Sequence, residues 1–398
     1  MAEARKDFED AEVQNWFEEQ EEEEPSEIET PEESLQQKYA RSQLRVVRET
    51  KDYTLDYLRH ALAPPKPLID ISPSYQRRLR WSRKKRSLLI ESFLLNIPIP
   101  PVFLYEREYN EYEVIDGRQR LQALSEFLSN NYSLTSLGYW PELNGKRFND
   151  LPGVIQKGLL RRSLPAVVLL AETLSPDKDE VDVRTVLFDR LNTGGEKLNP
   201  QELRNALYAG LFNEMLIRAA RARVFTQTWN IPAYTEGEDK EIPEELEKNT
   251  LFRTMADCEL VLRFFAIRDA ILSNRKGSLR RILDRFMKEH ARDADVQIKQ
   301  FEQEFTDGLA VLYTTFDEEP FRLPKTDRAS RPLYDALTVA LSLERGYDPI
   351  PNKQNIQATL QRALSNKAQY DILVGRGNTI TAVRDRVDLA RRILRGAS

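Results

Sequence analysis

One stretch, Val114-Ile115-Asp116-Gly117-Arg118-Gln119-Arg120-Leu121, constrains this chain most, because its two halves follow different periods. Tyr112-Glu113-Val114-Ile115 alternates and is β-branched, which predicts a short strand. Leu121, Leu124 and Leu128 recur at helical spacing, which predicts a helix to about Asn130. Asp116-Gly117 is then the hinge. Its glycine lets the backbone turn sharply and approach a ligand closely.

That helix would open with Arg118 and Arg120 in its first turn. The sign is wrong for a helix N-terminus, where misplaced charge costs about 0.3–1 kcal/mol. An anion held between the arginines and the free N–H groups reverses the penalty, and phosphate is the natural candidate. On this reading Gly117, Arg118 and Arg120 cradle phosphates, and Gln119 positions water. Asp116 holds Mg²⁺ beside the phosphate or orients an arginine. On the other reading Asp116 pairs with Arg118 or Arg120 and only fixes a turn.

Length and composition narrow the classes. The 398 residues suffice for two domains with cores of ordinary size. No apolar run approaches a membrane span, and the acidic N-terminus has no secretion signal, so a cytoplasmic protein off the membrane is expected. The single cysteine, Cys258, permits no intramolecular disulfide. With only His60 and His290, a zinc site or a histidine-based catalytic set has little support. No Gly-x-x-x-x-Gly-Lys-[Ser/Thr] is present, which excludes a P-loop NTPase.

The net charge of −5 is unevenly spread. Residues 1–36 hold fifteen acidic and two basic residues, a net of −13, which leaves about +8 for residues 37–398. An acidic tail ahead of a basic body suggests a polyanion partner such as DNA, with the tail competing for the same surface. The tail's composition predicts disorder, with Phe8, Trp16 and Phe17 able to form a short docking helix. Solubilising the chain is the alternative role.

Further along, Leu35–Leu62 reads as partly helical, and Pro64-Pro65-Lys66-Pro67 ends it. Leu68 to Ile71 reads as a strand. Ser82 can cap a helix bearing Leu88, Leu89, Phe93 and Leu94. Seven of the ten residues from Arg77 to Arg86 are basic, a density that can track a phosphate backbone or clamp one nucleotide. Val102–Tyr105 and Tyr112–Ile115 read as a hairpin, and Leu164–Leu170 as a strand buried on both faces. Val181–Leu191 reads as a helix. After it, Asn192-Thr193-Gly194-Gly195 is a turn whose N–H groups and amide suit a ligand, or a plain connection between helices. Asn199-Pro200-Gln201-Glu202 carries an N-cap, a proline at the first helical position and a capping-box glutamate. From Leu251 on the chain shows the 3.6-residue period, with Glu259, Arg263 and Arg268 as residues that could face the preceding domain.

Asp116-Gly117-Arg118-Gln119-Arg120 resembles the DGQQR signature of the GmrSD N-terminal domain family, with Arg118 where the family has glutamine. The stretch from Ile71 to Trp81, with Tyr75-Gln76-Arg77, and the segment Ile97-Pro98-Ile99-Pro100-Pro101-Val102 are similar to further motifs of that family. Phe188 through Asn205 resembles its second signature. The resemblance implies a ParB/sulfiredoxin-like fold, nucleotide chemistry and a restriction or phage-defence setting. Three turn or helix-start motifs rich in phosphate-compatible groups are expected to bring Tyr75, Gln76 and Arg77, Asn192, Gly194 and Gly195, and Asp116–Arg120 around one concave, positively charged pocket. The resemblance also implies a separate nuclease or effector subunit as a partner, because a fused nuclease would need histidines this chain lacks.

The sequence therefore predicts an α+β protein: a disordered tail (1–36), a ParB-like domain (37–232), an acidic linker (233–250) and an α-helical domain (251–398). The expected ligand is a nucleoside triphosphate with Mg²⁺. DNA and a second copy of the chain are further candidate partners. The alternative is a non-enzymatic DNA-binding or adaptor protein.

Overall fold

In the computed structural model, contacts gather the chain into two units, Ile28–Leu198 and a discontinuous one made of Met1–Glu27 with Asn199–Ser398. The structure describes residues 8–22, 47–71, 81–170, 198–238, 242–324, 326, 328–344, 346–375 and 377–396. Helix α1 (Asp10–Glu18) opens the second unit.

The first unit is built on a five-stranded mixed sheet of order β1-β5-β3-β4-β2. Its elements run β1 (Arg48–Thr54), α2 (Leu55–Ala61), β2 (Ile69–Asp70), α3 (Arg83–Leu94) and β3 (Val102–Glu108). Then follow β4 (Glu111–Asp116), α4 (Arg118–Leu128), α5 (Gly153–Leu160) and β5 (Ser163–Leu169). β3 and β4 form the expected hairpin, antiparallel, while β5 lies parallel to β3. Val102, Leu104, Leu164, Ala166 and Val168 project from β3 and β5 into one core with Leu55, Leu58, Leu89, Ile90, Leu121, Leu124 and Phe127. On the other face Pro165 and Val167 are half-buried and only Leu169 is buried, so β5 falls short of the burial on both faces that was expected.

β1 corrects the helical reading of Leu35–Leu62 over its described part. Arg48–Thr54 is almost wholly exposed, and it pairs antiparallel with β5, Lys51 opposite Ala166. The helix begins only at Leu55, where the Thr54 hydroxyl accepts the Tyr57 N–H at 3.2 Å. Ser82 caps α3 as expected, accepting the Lys85 N–H at 3.3 Å.

The second unit is helical after Asn199: α6 (Pro200–Leu207), α7 (Leu211–Ala219), α8 (Arg223–Trp229), α9 (Glu244–Lys248), α10 (Thr250–Arg253) and α11 (Ala256–Leu272). It continues with α12 (Leu279–His290), α13 (Asp295–Thr315), α14 (Arg331–Leu343), α15 (Lys353–Ser365), α16 (Lys367–Val374) and α17 (Ile380–Leu394). Asn199 makes the full capping box. Its side chain accepts from Gln201 and Glu202 N–H at 3.0 Å, and Glu202 accepts the Asn199 N–H at 2.9 Å. The helical period that starts at Leu251 breaks at Met255, whose φ of 58° no helix can hold. Beyond the break α11 is buried on nearly every side.

Two expectations about this unit change. The acidic stretch 233–250 is not a free linker in its described residues. Arg221 donates to both carboxylate oxygens of Glu238, at 2.6 and 2.9 Å, and Leu246 is buried. The contacts divide the chain at Asn199 instead. The tail is folded over residues 8–22: Phe8, Val13 and Phe17 are buried, and Phe8 and Trp16 pack on Trp229. Four carboxylates of this segment take arginine partners far along the chain, which composition cannot reveal.

Candidate functional site

The β4–α4 junction forms as its periods require. Between Phe103 and Leu104 the β3–β4 register slips by one residue, from Asp116 to Val114, so Ile115 is an extra residue on β4. Gly117 follows with φ 92° and caps α4 without a side chain. A Cβ here would stand 2.3 Å from Val102 Cγ1, so both the conformation and the space demand glycine. No acidic residue lies in the first turn of α4.

Asp116 pairs with Arg120, its Oδ2 accepting from Nη2 at 2.8 Å, with 29% and 13% of the two side chains exposed. The same guanidinium donates to the Pro100 carbonyl and, at 3.2 Å, to that of Pro101. Arg120 thus ties β4, α4 and the Ile97–Val102 segment together. Burial pulls its guanidinium below the ordinary value, against the opposing pull of Asp116. This is the geometry of the turn-fixing alternative.

Arg118 and Gln119 make a second set of ties. Arg118 Nη2 donates to the Ile71 carbonyl, and Gln119 Oε1 accepts the Trp81 N–H at 3.1 Å. Ile71 and Trp81 flank the stretch that holds Tyr75, Gln76 and Arg77. Both ends of that stretch are therefore held by adjacent residues in the first turn of α4. Tyr75, Gln76, Arg77, Asn192, Gly194 and Gly195 themselves lie outside the described residues, as does the expected helix Val181–Leu191.

The rest of the basic run splits. Arg86 pairs with Glu126 under the Tyr132 ring, and Arg83 donates to the Ser133 carbonyl at 3.0 Å. Lys84 is exposed, and Lys85 stands 4.9 Å from the centre of the Trp81 ring. One residue here escaped sequence reasoning. The buried Glu91 carboxylate accepts the N–H groups of Tyr139 and Trp140, at 2.8 and 3.0 Å, and so fixes the loop after α4. Nothing in its helical period signals this.

Asp116 does not make a metal site alone. Its carboxylate is engaged by Arg120, and among the described residues no three His, Cys, Asp or Glu side chains gather to hold an ion. Glu259 and Arg263, expected to face the first unit, are buried inside the second. Arg204 donates to Glu259 at 3.0 Å, and Arg263 holds both oxygens of Asp335. Arg268 pairs with Glu304. His290 lies tilted against Phe286, ring centres 4.1 Å apart, and is bonded to Asp293 at 2.6 Å, a packing role.

Among the described residues no helix is long and apolar enough to cross a membrane. No curated protein and no solved structure matches the chain. The family comparison does match: residues 65–209 align with the GmrSD restriction endonuclease, N-terminal domain. That span covers the Ile71–Trp81 stretch, the proline segment, the β4–α4 junction and the capping box at Asn199. Residues 65–209 therefore carry a match to the GmrSD N-terminal domain family.

Proposed function

We propose that the first unit binds a nucleoside triphosphate at the first turn of α4, as part of a restriction or phage-defence system. One observation carries the reading: Arg118 and Gln119 clamp both ends of the stretch bearing Tyr75, Gln76 and Arg77, at a helix start with no capping side chain and no acid. Such a start favours an anion. Arg118, Arg77, Gln76 and the N–H groups after Gly117 would face the phosphates, with Tyr75 beside them. Asn192, Gly194 and Gly195 would complete the cradle. Arg120 and Asp116 form the frame that aims this turn, and Gln119 is the candidate to position water if the nucleotide is hydrolysed. Mg²⁺ would arrive with the triphosphate, and no step here is routed through it.

The family match supports the setting. A second reading, a non-enzymatic DNA-binding or adaptor protein, draws on the exposure of Arg83, Lys84 and Lys85 along one turn of α3.

A thermal-shift panel of the four NTPs, with and without Mg²⁺, tests the proposal. At a hundred times the dissociation constant, binding should stabilise the wild type by about 2.7 kcal/mol. Arg120→Ala should lower apo stability by roughly 2–3 kcal/mol, less than for a fully buried pair because Asp116 keeps some solvent. It should also remove the NTP response. No shift with any NTP in the wild type, together with duplex binding that weakens steeply with salt, would replace the first reading by the second.

A further inference from the structure

The acidic segment 8–22 lies on the second unit as a ligand lies in a groove. Every described hydrogen bond between it and the rest of the chain runs through a side chain. Its backbone–backbone bonds stay within the segment, and the Trp16 carbonyl accepts from Arg331 Nη1 at 3.0 Å. Arg253 takes Asp10, Arg328 takes Glu12 at 2.8 Å, Arg331 takes Glu19 and Arg280 takes Glu21. The Asn378 N–H donates to Glu22 at 2.9 Å, and Asn378 Nδ2 donates to Glu19 at 3.0 Å. Gln20 reaches deepest, donating to Glu259 at 2.7 Å and accepting from Arg204 at 3.1 Å. Phe8, Val13 and Phe17 fill the apolar part, and Arg328 and Arg331 lie over the Phe8 and Trp16 rings.

Beneath the segment two buried arginines of the second unit lack a carboxylate partner from outside the segment among the described residues. Arg204, Arg263, Arg331 and Arg386 are all buried; Glu259 and Asp284 pair with Arg204 and Asp335 with Arg263, while among the described residues outside the segment no carboxylate pairs with Arg331 or Arg386. Arg331 receives its carboxylate only from Glu19 among the described residues. Its Nε, and Nη1 of Arg386, make no hydrogen bond there. Burial and the neighbouring Arg263 push the Arg331 guanidinium down to about 10. A buried cation without a counter-charge is costly, so this place calls for an acidic occupant.

The geometry points to a docking groove in the second unit for a short acidic helix with an aromatic face. Residues 8–22 fill it in cis, and a partner protein presenting the same chemistry displaces them. The occupant is a helix, because the groove matches aromatic and carboxylate side chains at once, as helix-in-groove recognition does. A bare polyanion would satisfy the arginines and leave the apolar slot empty. The tethered segment competes at high effective concentration, so the groove is masked until a stronger ligand arrives.

The test keeps the full chain. A site-specific protease sequence is inserted within residues 23–46 and cut after folding. The released fragment should dissociate at raised salt, while circular dichroism and the melting transition of the remainder persist. A synthetic peptide of residues 8–22 should then rebind. The peptide with Glu12, Glu19 and Glu21 changed to glutamine should bind at least tenfold weaker, and so should the peptide with Phe17→Ser. In the uncut chain, Phe17→Asp should raise hydrogen exchange across residues 8–22 and leave α11 and α14 protected. Three results would overturn the proposal: a fragment that leaves only as the second unit unfolds, loss of protection in α11 and α14 with Phe17→Asp, or equal binding by the Phe17→Ser peptide. The last would make the groove a simple charged patch, and duplex DNA would then compete as well as the peptide.

Discussion

Arginine works differently in the two units. At the β4–α4 junction it mostly grips main-chain carbonyls: Arg118 that of Ile71, Arg120 those of Pro100 and Pro101, with one carboxylate, Asp116, added. In the second unit it more often grips carboxylates: Arg263 both oxygens of Asp335, Arg204 Glu259 and Asp284, Arg331 Glu19, while Arg384 and Arg386 donate to carbonyls. A carboxylate cancels the guanidinium charge, whereas a carbonyl only places it. The difference separates arginines that hold a fold from arginines that are aimed while staying able to meet an anion.

The largest effect should come from the cancelled pairs. Arg263→Ala strands Asp335 with no solvent, and urea unfolding should show a loss of about 3–5 kcal/mol. A loss below that of Arg120→Ala would erase the contrast. Next is Gly117→Ala, which combines a left-handed φ with a clash against Val102. We expect roughly 2–4 kcal/mol by the same measurement, confined to the first unit. A near-neutral result would mean the turn is loosely fixed.

Smaller again is Arg118→Gln, which restores the residue of the family signature. It should cost about 0.5–1 kcal/mol, the worth of one hydrogen bond, and raise hydrogen exchange near Ile71. A larger loss would put Arg118 in the class of Arg263. The smallest effect concerns pH. Pairing with Arg253 holds the Asp10 carboxyl below its usual 3.8. Its contribution to docking is therefore complete above about pH 4 and fades as pH falls through the lower, folded value. Trp16 fluorescence against pH should show a shallow acid-side change that Arg253→Ala removes.

Much of the first unit was legible because its signals are local. The glycine hinge and the cap at Ser82 depend on residues within four or five positions of each other, and the hairpin joins two strands adjacent in sequence; the cap at Asn199, in the second unit, is equally local. β1 was not, because Arg48–Thr54 shows water almost every side chain and carries no hydrophobic period. The order of the sheet depends on pairings such as Lys51 with Ala166, which no window of sequence contains. At the site, the turn and its arginines could be read, yet what Arg118 and Gln119 hold could not, since Ile71 and Trp81 lie nearly forty or more residues away. The tail misled for the same reason. Its composition argues against a core of its own, and it borrows one from Trp229.

The discontinuous second unit has a consequence for synthesis. Glu22 and Asn378, which share a hydrogen bond, are 356 residues apart. At about 5–20 residues per second, the ribosome needs roughly 20–70 s to pass from one to the other. The β-sheet unit between them can finish folding in that interval. Until Trp229 in α8 emerges, the aromatic face of the first helix lacks the ring it packs on, which is when a nascent chain is most exposed to chaperones and to neighbouring copies.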